Sequence, residues 1–579
     1  METAPKKTAT KPATKPATKK VAKKTTKQAQ VGFEESLWDA ANKLRGSVES
    51  AEYKHIVLSL IFLKFISDKF EVRQKAIIAE YGDEYIDMVD FYAMDNVFYL
   101  PEDARWSYIQ ANAKQGDIAV KIDTALHGVE KNNKSLAGAL PDNYFSRLGL
   151  DASKLSALID TINNIDTIAN QNEKTEEDLV GRVYEYFLGK FAASEGKGGG
   201  EFYTPKSIVT LIADMIEPFE GKIYDPCCGS GGMFVQSLKF INSHNGNQKN
   251  VSIYGQEYTN TTYKLAKMNL AVRGISGNLG DIAGDTFFKD QHPDLKADYI
   301  MANPPFNQKQ WRADNELVDD ARWAGYPTPP TGNANYAWIM HMISKLSEHG
   351  TAGFVLANGS MSSNTSGEGD IRQKIIENDL VDCMIALPGQ LFYTTQIPVC
   401  LWFISKDKKG NNEKGLLKRR DRQGETLFID AREMGTMVNR TLKELTNDDI
   451  AKITQTYHIW RGEELTTETA KPESADKEQS ENKEQSANKE QEYEDVAGYC
   501  KSATLADIKA NDYVLTPGRY VGAADIADDG IPFETKMSEL SQTLYSQMNQ
   551  ADELDNAIRK NLQALGYGEE RDGAKRNDS

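Results

Sequence analysis

Asn303-Pro304-Pro305-Phe306 follows a short apolar run, Ala297–Ala302, that reads as a strand, and its four residue types suit a planar amine. Consecutive prolines fix φ and remove two amide donors, so the backbone is rigid and its carbonyls are left to accept. Asn303 adds a side-chain carbonyl and Phe306 a flat apolar face. Together they are able to accept both hydrogens of an exocyclic amine and to stack on the ring that carries it.

A second set lies upstream. Asp225-Pro226-Cys227-Cys228-Gly229-Ser230-Gly231-Gly232 follows one strand and opens a helix, where glycines let a ligand approach the backbone at the open end of an α/β sheet. The loop has neither the dinucleotide spacing nor a Walker lysine, so phosphate binding is not indicated. Alone, such a loop is more often a tight turn than a site. Its weight comes from its neighbours. Glu257 ends the next strand, where an acid commonly accepts both ribose hydroxyls of an adenosine cofactor, although in isolation it reads as an exposed loop acid. Asp285 follows the third strand region, where a carboxylate reaches an adenine amine. Before the loop, Glu201-Phe202-Tyr203-Thr204-Pro205-Lys206 leads into a helix and offers amides, a hydroxyl and aromatic faces.

Cys227 after Pro226 invites a covalent cytosine-C5 reading. That chemistry needs a nucleophile at the end of the fourth strand, and this cysteine sits in the cofactor loop, so it reads as a small packed residue, as does Cys228. The seven histidines show no pairing pattern, His55 and His341 read as structural, and no Cys/His set has the spacing of a zinc site, so no metal is expected.

The elements that must position these residues alternate. Strands are predicted over 222–225, 252–256, 297–302, 351–357, 381–386 and 399–405, with helices over 232–243, 261–273, 335–348 and 369–379. This is the pattern of a doubly wound α/β sheet with a mainly parallel core. The last strands, from Gln390 to Ser405, are close together and predict an antiparallel edge. Before the sheet the pattern is helical, with Leu37, Ala41 and Leu44 on one helix and Tyr53, Ile56, Val57, Leu60, Ile61 and Leu63 on a second that is apolar nearly all round. The expected organisation is a disordered basic tail (1–30), a helical domain (31–180), a catalytic domain (181–460), a charged linker (461–497) and a C-terminal segment with a docking helix (498–579).

Net charge is −17, but residues 1–30 hold nine lysines against one acid, Glu2, so the tail is +8 and the rest −25. The tail reads as a solvated extension or as an arm for polyanions. A body this acidic is a poor non-specific DNA binder, so a DNA substrate would require a local basic groove or a basic partner. The linker repeats Lys-Glu-Gln at 477–479, 483–485 and 489–491 and cannot build a core. Five scattered cysteines predict reduced thiols and a cytoplasmic location, and the absence of a long apolar run predicts a soluble protein.

The combined set resembles the S-adenosylmethionine-dependent amino-methyltransferases. Phe202–Pro205 is similar to the motif before the cofactor loop, Asp225–Gly232 to the methionine-binding loop, Glu257 to the ribose acid and Asn303–Phe306 to the catalytic N-P-P-F/Y motif. The order of motifs is that of the adenine-N6 branch. More closely, the chain resembles the modification (M) subunit of type I restriction–modification systems, on Leu37–Arg45, Tyr53–Lys64, Leu515–Tyr520 and the terminal helix, over residues 33–460 and 498–565. The resemblance implies S-adenosylmethionine as cofactor and adenine N6 in double-stranded DNA as acceptor. It also implies a specificity (S) subunit, a second copy of the M subunit and a restriction (R) subunit as partners. In the implied chemistry, Asn303 and the Pro304 carbonyl accept the amine's hydrogens, and Phe306 stacks on a flipped base.

Three other readings compete. A protein-glutamine N5-methyltransferase is similar in the motif but usually smaller and without the helical domain. A self-sufficient adenine methyltransferase needs a DNA-reading domain of its own, and none is visible. A non-catalytic clamp or assembly subunit would have no need of intact Asn303–Phe306 and Glu257.

Overall fold

The computed structural model describes residues 50–164, 204–244, 246–392, 396–410, 419–463, 492–523 and 533–564, with Trp38, Asn42, Tyr186 and Phe187. Most of the first predicted helix and most of the Lys-Glu-Gln linker lie outside these residues. The chain forms two compact units, one up to Gly522 and one from Ala523.

The helical part begins with α1 (Ser50–Glu80), followed by α2 (Ile118–Asn132) and α3 (Ala152–Asn163) among shorter helices. The run Ile56–Ile66 of α1 is buried on all sides, as its unbroken apolar sequence predicts. Asp123 of α2 is buried and accepts the Phe145 and Ser146 amides at 2.9 and 2.8 Å, closing the α2 corner.

The α/β part is built on β1 (Gly221–Asp225), β2 (Val251–Gly255), β3 (Gly277–Asn278), β4 (Ala297–Ala302), β5 (Leu346–Ala357), β6 (Val381–Ala386), β7 (Val399–Ser405) and β8 (Glu425–Asp430). A small hairpin, β9 (Thr436–Met437) and β10 (Lys443–Glu444), stands apart, and β11 (Cys500–Thr504) completes the main sheet. The sheet order is β11-β8-β6-β7-β5-β4-β1-β2-β3. β3, β2, β1, β4 and β5 are mutually parallel, and the order reverses between β1 and β4, the switch point at which such sheets bind ligands.

β7 corrects one expectation. It is antiparallel, but it lies between β5 and β6 in the interior of the sheet and not at its edge. All seven of its residues are buried: Val399, Leu401 and Phe403 face one core, while Cys400, Trp402 and Ile404 face the other. An edge strand has no need of apolar side chains on both faces.

Helices cover both faces. α4 (Lys206–Ile216), α5 (Gly232–Ser243), α6 (Asn260–Val272) and α9 (Asn447–Trp460) pack on one, and α7 (Asn335–Lys345) and α8 (Glu368–Glu377) on the other. Gly353 of β5 lets α4 sit close, because a Cβ there would lie 2.9 Å from Ile212 and 2.8 Å from Phe403. α6 also joins the helical part: Leu265, Met268 and Val272 belong to that core, and Lys264 and Lys267 donate to the Leu140 and Ala137 carbonyls at 2.8 and 3.0 Å.

Beyond the linker, β11 pairs antiparallel with β8, and the Tyr520 ring stacks on Phe428 with centroids 3.8 Å apart. The sheet therefore extends past the linker into residues 500–504. The second unit holds α10 (Phe533–Ala564), on which Met537, Leu540, Leu544 and Met548, then Leu554, Ile558 and Leu562, are exposed.

Candidate active site

The loop after β1 is laced to the loop after β2. The Gln256 amide donates to the Asp225 carbonyl at 3.0 Å, and the Cys228 amide to the Gln256 carbonyl at 2.9 Å. Gly229 and Gly231 have φ of 52° and 79°, in the left-handed region where a side chain is strained, and Gly231 caps α5. A Cβ at Gly229 or Gly232 would meet nothing within 4 Å, so the loop presents an open backbone face. The Asn269 amide steadies it by donating to the Ser230 carbonyl at 2.7 Å.

Glu257 bridges this loop to the next segment: its carboxylate accepts the Gly229 amide at 3.1 Å and the Thr259 amide at 2.8 Å. Its backbone carbonyl accepts the Gly284 amide at 2.9 Å, which brings in Asp285. Asp285 accepts the Phe287 amide at 2.8 Å, and the Thr286 hydroxyl donates to the Pro226 carbonyl at 2.6 Å. Asp225, Gly229, Ser230, Gly231, Gly232, Glu257 and Asp285 thus share one rim although they come from three stretches. Gln256 was not singled out from the sequence. Fully buried, it donates to the Gly284 and Lys289 carbonyls and accepts the Gln291 amide, holding the Asp285 segment to β2.

Asp225 is buried, and burial pushes its carboxyl up to about 7, in part offset by the Cys227 amide that donates to it at 3.0 Å. Burial likewise pushes the Cys227 and Cys228 thiols well above the usual range, the wrong direction for a nucleophile.

The tetrapeptide sits at the end of β4, beside the end of β1. Asn303 Nδ2 donates to the Thr204 hydroxyl at 3.0 Å, while its Oδ1 is buried without a hydrogen-bond partner. Thr204 and Pro205 immediately precede α4, Pro205 as its N-cap, and Lys206 is exposed on its first turn. Glu201, Phe202 and Tyr203 lie outside the described residues. Pro304 is buried and Pro305 half-buried. The Phe306 ring meets Phe392 edge-on, with centroids 5.5 Å apart at 84°. Directly after it, Asn307 has φ of 52° and exchanges two hydrogen bonds with Asn335, at 3.1 and 2.9 Å. Phe392 and Asn335 were also missed from the sequence, since each acts only through a contact with a residue far along the chain.

Away from this rim, Glu217, His458 and Glu463 lie close enough to suggest a metal site. Their bonds say otherwise. His458 Nε2 faces the Asp214 carbonyl at 2.9 Å and Nδ1 faces Glu463, both acceptors only, so each ring nitrogen carries a proton. Burial lowers the His458 pKa, but the bond to Glu463 and the charge of Glu217 overcome it and raise it. Glu463 also pairs with Arg419 at 2.5 Å and Arg461 at 2.9 Å. This is an ion-pair network.

The chain matches the N-6 DNA methylase family over residues 175–529 and the HsdM N-terminal domain over residues 33–162. It is 46% identical over 485 residues to the type I restriction enzyme HindI methylase subunit of Haemophilus influenzae, covering 81% of this chain and 100% of that one. It is 37% identical over 553 residues to the MjaIX methylase subunit of Methanocaldococcus jannaschii, covering 92% of each. Among solved structures, the type I methyltransferase subunit from Streptococcus thermophilus shares the fold, with a TM-score of 0.66 at 21% identity over 85% of this chain and 99% of that one. The chain therefore belongs to the methylase (modification) subunits of type I restriction–modification systems, and it is an adenine-specific DNA methyltransferase.

Proposed function

We propose that Asn303–Phe306 present the N6 amine of a flipped-out adenine to S-adenosylmethionine held on the rim of Asp225, Glu257 and Asp285. Bound there, the cofactor supplies an electrophilic methyl group on a sulfonium. The residues fit such a ligand: an open glycine backbone lies beside a buried acid, and Glu257 stands at the end of β2, where ribose hydroxyls are commonly accepted. Glu201–Lys206, leading into the first turn of α4, complete the cofactor side in this reading.

The observation that carries the proposal is the state of the Asn303 amide. Thr204 takes its Nδ2, which fixes the rotamer and leaves a desolvated Oδ1 with no partner. A buried acceptor without a donor is costly, and an amine N–H removes that cost. With the Pro304 carbonyl taking the second hydrogen, the nitrogen is drawn from planar toward tetrahedral and its lone pair is released for attack. Asn303 is not a base; the proton leaves to water after transfer. Phe306, held edge-on by Phe392, provides the stacking face for the unstacked base.

The same reading assigns partners and place. A specificity subunit reads the DNA sequence, a second copy of this chain completes the methylating complex, and a restriction subunit joins for cleavage. All five cysteines are free and no described helix is long and apolar enough to cross a membrane, in keeping with a cytoplasmic location.

In the assembled complex, Asn303→Ala is expected to abolish N6-methyladenine formation, by at least about a hundredfold, while calorimetry shows S-adenosylmethionine binding within about twofold of wild type. Wild-type turnover in that variant would refute the assignment.

A further inference from the structure

Arg322 lies in the stretch between the catalytic tetrapeptide and α7, and each of its five guanidinium N–H groups has an acceptor. Nε and Nη2 donate to the two Asp320 oxygens at 2.7 and 2.6 Å. Nη1 donates to the Thr286 carbonyl at 3.1 Å, and Nη2 also donates to the Phe287 carbonyl at 2.6 Å. The remaining N–H of Nη1 faces His341 Nδ1 at 3.4 Å. Because arginine only donates, that nitrogen accepts, and His341 Nε2 carries the proton toward the Tyr224 hydroxyl at 3.2 Å. Burial first, then the Arg322 charge, push the His341 pKa down to about 3, so the ring stays neutral.

The two carbonyls that Arg322 holds belong to the residues directly after Asp285. That turn has one further anchor to the cofactor loop, the Thr286 hydroxyl on the Pro226 carbonyl. The stretch carrying Arg322 is closed at its neck: Ala334 N–H donates to the Gln308 carbonyl at 2.9 Å, and Gln310 N–H to the Thr331 carbonyl at 3.0 Å. The guanidinium also lies over the Phe287 and Trp323 rings, at 5.7 and 5.0 Å. The result is a brace from the segment after the tetrapeptide to the turn that presents Asp285.

We propose that Arg322 is a positioning residue of the cofactor site, locking the Asp285 turn from the substrate side so that cofactor affinity depends on the segment following the catalytic motif. The inference rests on the S-adenosylmethionine site proposed above. A lysine keeps the charge but offers three donors from one nitrogen in place of five from a planar fork, so it cannot take both Asp320 oxygens, the two carbonyls and His341 together.

The test is calorimetry of the full-length chain with S-adenosylmethionine, together with methyl-transfer kinetics of the complete complex. Arg322→Lys is expected to weaken cofactor binding about tenfold, the scale of one charge-assisted hydrogen bond. Turnover at saturating cofactor stays within about threefold, which is the signature of lost positioning for binding and not for chemistry. In an Asp285→Ala background the same substitution adds less than about twofold, because its effect runs through Asp285. Asp320→Asn, which leaves the arginine in place but loosens it, weakens binding by about threefold and serves where the lysine variant does not fold. An unchanged dissociation constant in both Arg322→Lys and Asp320→Asn, or effects that simply multiply in the double variant, overturns the proposal. Failure of the wild-type chain to bind S-adenosylmethionine overturns the cofactor reading itself, a result seen without any substitution.

Discussion

Asp225 shows how the proposed cofactor site costs its own scaffold stability. Its carboxyl titrates near 7 in the folded chain against an ordinary value of 3.8, so folding favours the protonated acid. The stability it contributes is fully present below about 4 and is lost as pH rises through 7. Asp225→Asn keeps an oxygen for the Cys227 amide and never ionises. It should melt higher than wild type at pH 8, by the equivalent of a few kcal/mol, with the gap closing as pH falls toward 4. Thermal melts across that range without ligand check this, and a pH-independent gap would contradict it. Other site residues differ in how visible they were in the sequence. Asn303 stands out because few other jobs need an Asn-Pro-Pro run at a strand end, whereas Glu257, an exposed loop acid in isolation, and Asp285 take their weight from the glycine loop upstream. Gln256 and Asn335 do not, since an amide beside a motif has meaning only once its partners, Gly284, Gln291 and Asn307, are brought to it by the fold.

At the scale of elements, the parallel strands were legible from apolar runs separated by helical periodicity. Two features were not. The interior position of β7 depends on which strands flank it, and short spacing along the chain suggested an edge. β8 was not recognised because its outer neighbour, β11, lies across the charged linker, and no local pattern announces a pairing at that distance. This pairing has a measurable consequence. A chain ending at Glu463 leaves the β8 edge open and Phe428 without Tyr520, so it should aggregate on expression. A chain ending at Gly522 retains both and should remain monodisperse by light scattering. Equal solubility of the two truncations would show that β11 is dispensable.

For the molecule as a whole, charge and architecture point the same way. Outside its first thirty residues the chain carries −25, while the methylated base must be drawn from a polyanion. The M chain alone should therefore bind a non-specific duplex more weakly than about 10 µM at physiological salt. If the proposed assembly holds, addition of a specificity subunit should bring binding into the nanomolar range at its recognition sequence. Fluorescence anisotropy with and without that subunit measures both, and tight duplex binding by the M chain alone would remove the need for a separate reader.

The reversal of β7 has a bearing on how such enzymes diversify. Because β6 runs with the parallel strands and β7 runs against them, the segment joining the two emerges at the same edge of the sheet as the end of β4, and its Phe392 reaches Phe306. The proposed cofactor rim is built from the loops after β1 and β2 and from the Asp285 turn, on the other side of the switch point. Under the proposed assignment, changes of length or composition in the joining segment can therefore reshape the acceptor side while the donor side keeps its geometry. A lineage could exchange one amine acceptor for another by remodelling a single connection, with its methyl-donor affinity inherited intact.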